Sequence, residues 1–231
     1  MKTKFIFLLV VFALHIECVR KSEAKHSSFA KGIDISKYQR TIHWTDLVKQ
    51  KEMAFIIARA TEGMAIDDSF SKHWKEIHKI DCIGGAYHFF SNEESPLLQA
   101  KLFLETVPVK KGNLPPILDV EAYSTIQTKH QLIENCLTWL TYVEKATGRT
   151  PILYSNLYFI TNNLSDPRLR KYPLWIAEYN SDSIPKVPEI WDTWLFWQKS
   201  DSYLLKGIQG DVDYDLFHGS KEDLQNYSNK E

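Results

Sequence analysis

From about residue 30 onward the chain alternates between two hydrophobic rhythms. Eight short, nearly continuous apolar runs read as strands, over 32–35, 54–60, 83–90, 116–121, 151–155, 174–179, 194–198 and 212–217. Runs of this kind suit strands covered on both faces. Between the earlier runs the apolar residues recur at helical spacing. The segment 44–50 is short, and 69–79 aligns Phe70, Trp74 and Ile77 behind a cap at Asp68 or Ser69. The segment 96–106 opens on Ser95 and Pro96, a favourable N-cap and first-turn pair. In 128–147, Leu132, Ile133, Cys136, Leu137, Leu140 and Val143 share one face, and Gly148 ends the helix. A shorter helix is expected over 157–164.

After the sixth strand the helical pattern stops. Residues 180–193 are rich in Pro, Ser and Asp, and 199–211 read as turns around Gly207 and Gly210. The layout is five strand–helix units followed by three strands with little between them. Alternating units of this type predict an α/β fold with a parallel sheet. Eight strands suggest closure into a TIM-like barrel. Scarce helices near the end make it irregular, since parallel strands normally need a crossover.

Residues 1–25 stand apart from this pattern. Lys2 and Lys4 precede a twelve-residue apolar run from Phe5 to Ile16, broken only by His15. That is the layout of a secretory signal, and it is shorter than the ~20 apolar residues of a spanning helix. We therefore expect a leader over 1–25, a single barrel domain over 26–231, and no transmembrane span once the leader is removed. The product is expected to be exported, either secreted or held in the envelope or periplasm. Cys18 directly after the run is a candidate lipid-attachment site, but Ile16-Glu17 lacks the usual small residues. Cys82 and Cys136 have no evident reason to meet and are expected as thiols.

Composition narrows the function classes. The formal charge is −1. Removing residues 1–25 takes away five basic and two acidic side chains, leaving about −4. A basic surplus of the kind nucleic-acid binders carry is missing. The chain holds 30 Trp, Tyr and Phe rings, or 13% of residues, which can fill a core or stack on sugars. After the leader, the length is expected to suffice for one barrel, with no separate wall-binding module expected within it.

The informative feature is the carboxylates embedded in apolar strands. In Ile117-Leu118-Asp119-Val120-Glu121, Leu118 and Val120 point one way while Asp119 and Glu121 point the other. In a barrel the outer face packs against helices, so both acids face the interior, at the C-terminal end of their strand, where barrel active sites form. Asp34 between Ile33 and Ile35, and Asp213 between Val212 and Tyr214, repeat the arrangement in the first and last strands, which are neighbours in a closed barrel. Burying carboxylates is costly unless they are paired. A structural network through Arg59, Lys37 or backbone donors is one solution. Four acids at strand ends, two of them at i and i+2, favour chemistry instead: crowding and burial raise the pKa of one, which suits glycoside hydrolysis.

Seven segments then occur in order: Gly32-Ile33-Asp34-Ile35-Ser36, Arg59-Ala60-Thr61-Glu62-Gly63, Gly85-Ala86-Tyr87-His88-Phe89, Leu118-Asp119-Val120-Glu121, Leu174-Trp175-Ile176-Ala177, Phe196-Trp197-Gln198 and Val212-Asp213-Tyr214-Asp215-Leu216-Phe217. Together, across about residues 31–220, they resemble glycoside hydrolase family 25, the Chalaropsis-type lysozymes. The resemblance implies a modified barrel of five βα units and three further strands. It also implies hydrolysis of the β-1,4 bond from N-acetylmuramic acid to N-acetylglucosamine in peptidoglycan glycan strands. By the same resemblance Glu121 is the general acid/base, with Asp119, Asp34 and Asp213 as the other active-site acids. Asp215 is a departure, since the family more often has Asn there. The reaction is expected to retain configuration, through a carboxylate nucleophile or through the substrate's own 2-acetamido group; the short Asp-x-Glu spacing favours the second.

Around the acids an aromatic groove is expected from Tyr87, Tyr154, Trp175 and Tyr179, with Glu62 and Gln198 as polar contacts. Trp44 and Trp74 are expected in the core, as are two of Trp191, Trp194 and Trp197. No cofactor and no metal is expected; His73 and His78, five apart, do not share a helix face as metal ligands would. His88 reads as a satisfied strand histidine, and the chain is expected to act as a monomer. The competing readings are a non-catalytic glycan-binding barrel, which need not retain Glu121, and an envelope-anchored structural protein, which rests on Cys18 alone.

Overall fold

In a computed structural model the structure is described for residues 29–39, 41–123, 127–179 and 184–230. The expected leader, including Cys18, lies outside the described residues. Nine strands form one sheet: β1 (Ala30–Ile35), β2 (Met53–Glu62), β3 (Ala65–Ile66), β4 (Ile83–Phe89), β5 (Ile117–Asp119), β6 (Ile152–Asn156), β7 (Leu174–Ala177), β8 (Phe196–Tyr203) and β9 (Val212–Phe217). The hydrogen-bonded order is β1-β9-β8-β7-β6-β5-β4-β2-β3, and β1 also pairs with β2. Eight strands thus close into a barrel, and β3 folds back on β2 as a short antiparallel flap.

The barrel is mixed. Pairings from β1–β2 round to β7–β8 are parallel. β9 is antiparallel to both neighbours, β8 and β1. Its reversed direction removes one crossover, because an antiparallel strand can return through a short turn.

The helices are α1 (Trp44–Leu47), α2 (Phe70–Ile77), α3 (Pro96–Thr106), α4 (Lys129–Thr147), α5 (Leu157–Asn163) and α6 (Lys221–Ser228), with a 3-10 turn at Pro167–Lys171. The caps expected at Ser95 and Gly148 form, while Ser69, at the N-cap of α2, makes no side-chain capping bond. The Ser95 hydroxyl accepts from the Leu98 amide, Thr128 and Gln131 make a reciprocal capping box, and Gly148 takes φ +68° at the end of α4. Two expectations are corrected. Helices do not stop after the sixth strand: α6 closes the chain, started by Ser220 and Asp223, which cap each other's backbone amides. Residues 199–203 are strand, because β8 runs on to Tyr203 and bulges against β9.

Side-chain alternation divides the core into two layers. Outward residues Ile33, Ile35, Ile56, Leu118, Val120, Leu153, Ile176 and Trp197 pack against Phe103, Trp139, Leu140 and Ile160 of the helices. Inward residues Phe55, Ile57, Ile83, Ile117, Ile152, Phe196 and Phe217 fill the lumen. Gly32 is required here. It opposes Phe55 across β1–β2, and a Cβ on it would lie 2.3 Å from the ring. Trp191, Trp194 and Trp197 are all buried in the outer layer, one more than expected, while Trp44 and Trp74 are half-buried against it. Cys82 and Cys136 are free thiols, and burial pushes Cys82 up to about 12. His88 bridges Thr61 and Gln99 at 2.7 and 2.9 Å, and burial holds it neutral with a pKa of about 4.

Candidate active site

The apolar plug occupies one end of the lumen, and polar side chains take over toward the C-terminal ends of the parallel strands. There a cavity of about 310 Å³ opens, lined by Asp34, Ser36, Tyr38, Gln39, Arg59, Glu62, Tyr87, Phe89, Asp119, Glu121, Tyr154, Trp175, Tyr179, Gln198 and Asp213. All ten residues singled out from the sequence meet in this one cavity. A second hollow of about 330 Å³ adjoins it through Glu62 and Phe89 and extends past Asn92 to Tyr123.

Asp34 and Asp213 are register partners on β1 and β9. Asp119 ends β5, and Glu121 lies two residues beyond. Asp34 and Asp119 are buried; Asp213 and Glu121 are half-buried. None of these four acids forms an ion pair among the described residues. The cation that might have served, Arg59, is committed elsewhere: its Nε donates to Asp67 at 2.9 Å and its Nη1 lies 3.2 Å from Glu62. Lys37 reaches Glu62 at 3.3 Å. A structural network through Arg59 and Lys37 therefore exists, but it serves Asp67 and Glu62.

The acids are held by neutral donors. Gln198 Nε2 donates to Asp34 Oδ2 at 2.7 Å, while Gln198 Oε1 accepts from Tyr154 at 2.9 Å and Tyr179 at 2.7 Å. Asn156 and Tyr154 stand beside Glu121 and favour its ionised form. Buried Asp119 Oδ1 and Arg59 Nη2 have no partner among the described residues.

This setting favours protonated carboxyls. Burial, and then the Asp213 charge, raise Asp34 well above the usual carboxylate range. Burial and the neighbouring Glu121 do the same to Asp119, against an opposing pull from Arg59. Burial raises Asp213 to about 6, and raises Glu121 against the opposing pull of Asn156 and Tyr154. Carboxyls that retain a proton toward neutral pH, beside others that can ionise, are what acid/base work on a glycosidic bond needs.

The aromatic groove differs from expectation in depth. Tyr87, Tyr154 and Trp175 are buried and form the floor, where Trp175 spends its indole N–H on Asp215. The open ring faces belong to Tyr179 and Tyr38 at the rim, and to Tyr123 beyond the second hollow. Sequence reasoning missed Tyr38, Gln39 and Asn156, although each lies at or just beyond a strand's C-terminal end, where barrel sites draw their residues. It also missed Phe89 and Asp67.

The sequence matches glycosyl hydrolases family 25 over residues 33–208. The chain belongs to this family. It is 35% identical over 224 residues to the uncharacterized protein YegX of Escherichia coli O157:H7, covering 93% of this chain and 76% of that one. It is 32% identical to lysozyme M1 of Streptomyces globisporus, over 84% of this chain and 69% of that one. The fold superposes on the bacterial lysozyme of Streptomyces coelicolor with a TM-score of 0.80 at 30% identity, covering 87% of this chain and 98% of that one. The irregular, helix-poor barrel of this family is thus the fold of this chain. No group of His, Cys, Asp or Glu among the described residues is arranged to hold a metal. Nor is any described helix long and apolar enough to cross a membrane.

Proposed function

We propose that this chain is a muramidase, hydrolysing the β-1,4 bond between N-acetylmuramic acid and N-acetylglucosamine in peptidoglycan. The observation that carries the reading is the Asp119–Glu121 pair at the end of β5, free of any ion pair, in one cavity with Asp34 and Asp213. Glu121 is the general acid. Burial keeps its proton above the ordinary glutamate range, and its half-exposed position lets it reach the leaving oxygen. After departure the carboxylate draws a proton from the incoming water. Asp119, with an unpartnered buried Oδ1, suits the role of accepting the substrate's 2-acetamido N–H and turning its carbonyl oxygen toward the sugar carbon. Asp213, ionised above about pH 6, supplies the negative field facing the developing positive charge, with Asp34 as its register partner.

The hollow beyond Glu62 and Phe89 suits a substrate longer than one disaccharide, with Tyr38, Tyr179 and Tyr123 as stacking faces. No bulk positive charge draws the protein to an anionic wall, so contacts within the groove carry the affinity. Residues 1–25, acting as a secretory leader, deliver the enzyme to the wall; N-terminal sequencing of the released form tests this. Turbidity loss of purified walls tests the activity, with no clearing by wild type on several wall types as the contrary result. Trapping a covalent glycosyl–Asp119 adduct by mass spectrometry overturns the substrate-assisted route.

A further inference from the structure

Asp215 lies below the cavity and does not line it. Its side chain is fully buried on the inward face of β9. Oδ1 accepts the Trp175 indole N–H at 2.9 Å. Oδ2 is buried and receives no donor among the described residues. An ionised carboxylate oxygen left bare in this way is among the costlier things a protein interior can hold.

Among the described residues the surroundings offer no unclaimed cation. From β1 comes Asp34, from β7 Trp175, and from β8 Gln198, whose amide N–H is already given to Asp34. On β9 itself stands Asp213. Tyr87, Asp119 and Tyr154 enter the lumen from β4, β5 and β6. Arg59 on β2 is the cation of the lumen, and it is held by Asp67 and Glu62. Lys31 of β1 is paired with Glu52. Asp34 is within hydrogen-bonding contact of both Asp213 and Asp215, and two carboxylates can share such a contact only through a proton.

We propose that Asp215 is a positioning residue: a neutral carboxylic acid under the site whose Oδ2–H donates to Asp34. Asp34 is then gripped on two sides, by Gln198 on Oδ2 and by Asp215, which fixes its carboxyl at the cavity wall. The proton stays on Asp215 through the reaction, so no bond is made or broken there. Burial, and then the Asp213 charge, raise Asp215 well above the ordinary aspartate range against the opposing pull of the Trp175 and Asp34 hydrogen bonds. The catalytic consequence rests on the muramidase reading; the protonation does not.

The test compares wild type with Asp215→Asn and Asp215→Leu, all of full length. Infrared difference spectra of protein carrying 13C-labelled aspartate carboxyls should contain, at neutral pH, a protonated-carboxyl carbonyl stretch that Asp215→Asn removes. In wild type the Trp175 indole N–H resonance should stay fixed from about pH 5 to 8. Asparagine can still donate to Asp34 through Nδ2–H, whereas leucine fills the volume without donating. Asp215→Leu should therefore lower kcat about tenfold or more at unchanged KM, and Asp215→Asn should recover most of that loss. A merely structural role predicts no such split between two variants with similar melting temperatures. If the asparagine variant removes no protonated-carboxyl band, or the indole resonance titrates near neutral pH, the proposal is wrong whatever the enzyme's substrate. A wild type inactive on every wall, with the band present, leaves Asp215 protonated and overturns the muramidase reading instead.

Discussion

Replacing Asp213 with asparagine should make the protein more stable at neutral pH while damaging the site. Burial raises this carboxyl from the ordinary 3.8 to about 6. Between those values the folded chain holds a proton that the unfolded chain has already lost. Stability associated with this group is therefore full below about 3.8 and is lost as pH rises through about 6. A shift of roughly two units corresponds to about 3 kcal/mol at neutral pH. Asparagine does not ionise, so the variant escapes that loss at about pH 7 and gains nothing at about pH 3.5. For a chain of this size, 3 kcal/mol corresponds to a melting-temperature difference of roughly 6–12 °C. Thermal unfolding followed by circular dichroism at both pH values measures it. A variant destabilised at neutral pH, or shifted equally at both, would refute the claim that the acid cluster is held against its own burial and repulsion. The accompanying loss of activity would mark the stability–function trade-off expected of a site built this way.

Four further outcomes follow from the geometry. Phe55→Ala opens the lumen plug and should cost about 3–5 kcal/mol in denaturant unfolding; Gly32→Ala should cost about 1–3 kcal/mol by forcing a Cβ against the same ring, and less in a Phe55→Leu background. Gln198→Leu strips Asp34 of its amide donor and two tyrosines of their acceptor, so kcat should fall by about tenfold or more with Asp34 pushed further toward its protonated form. Asn156→Ser keeps a capping oxygen for α5 but removes the amide that favours ionised Glu121. The acid should then keep its proton to higher pH, and the alkaline limb of the rate profile should move upward; a downward move contradicts Glu121 as the acid.

Much of this architecture was legible in the sequence because alternation carries it. Ile117-Leu118-Asp119-Val120-Glu121 states in five residues that two acids face inward and two apolar residues outward, and β5 bears that out for Leu118 and Asp119. Alternation says nothing about strand direction, so the antiparallel setting of β9 was invisible, and with it the reason that one crossover is missing. The flap β3 is two exposed apolar residues, Ala65 and Ile66, too short a run to show alternation. α6 was overlooked although Ser220 and Asp223 carry a capping signature, because its single fully buried apolar anchor, Leu224, sets no clear period. The depth of the rings was not legible either. Trp175 and Tyr179 look alike as strand-end aromatics, yet one is 2% exposed and bonded to Asp215 while the other is 44% exposed at the rim. Arg59 was read as a partner for the strand acids; only the fold reveals that Asp67, eight residues on, claims it.

Muropeptide analysis by mass spectrometry of peptidoglycan digested with wild type and with Glu121→Gln tests the central claim most directly. The account predicts that wild type releases fragments ending in a reducing N-acetylmuramic acid, and that Glu121→Gln, folded and equally stable, releases almost none. Fragments ending in reducing N-acetylglucosamine, or equal product from both proteins, would contradict it.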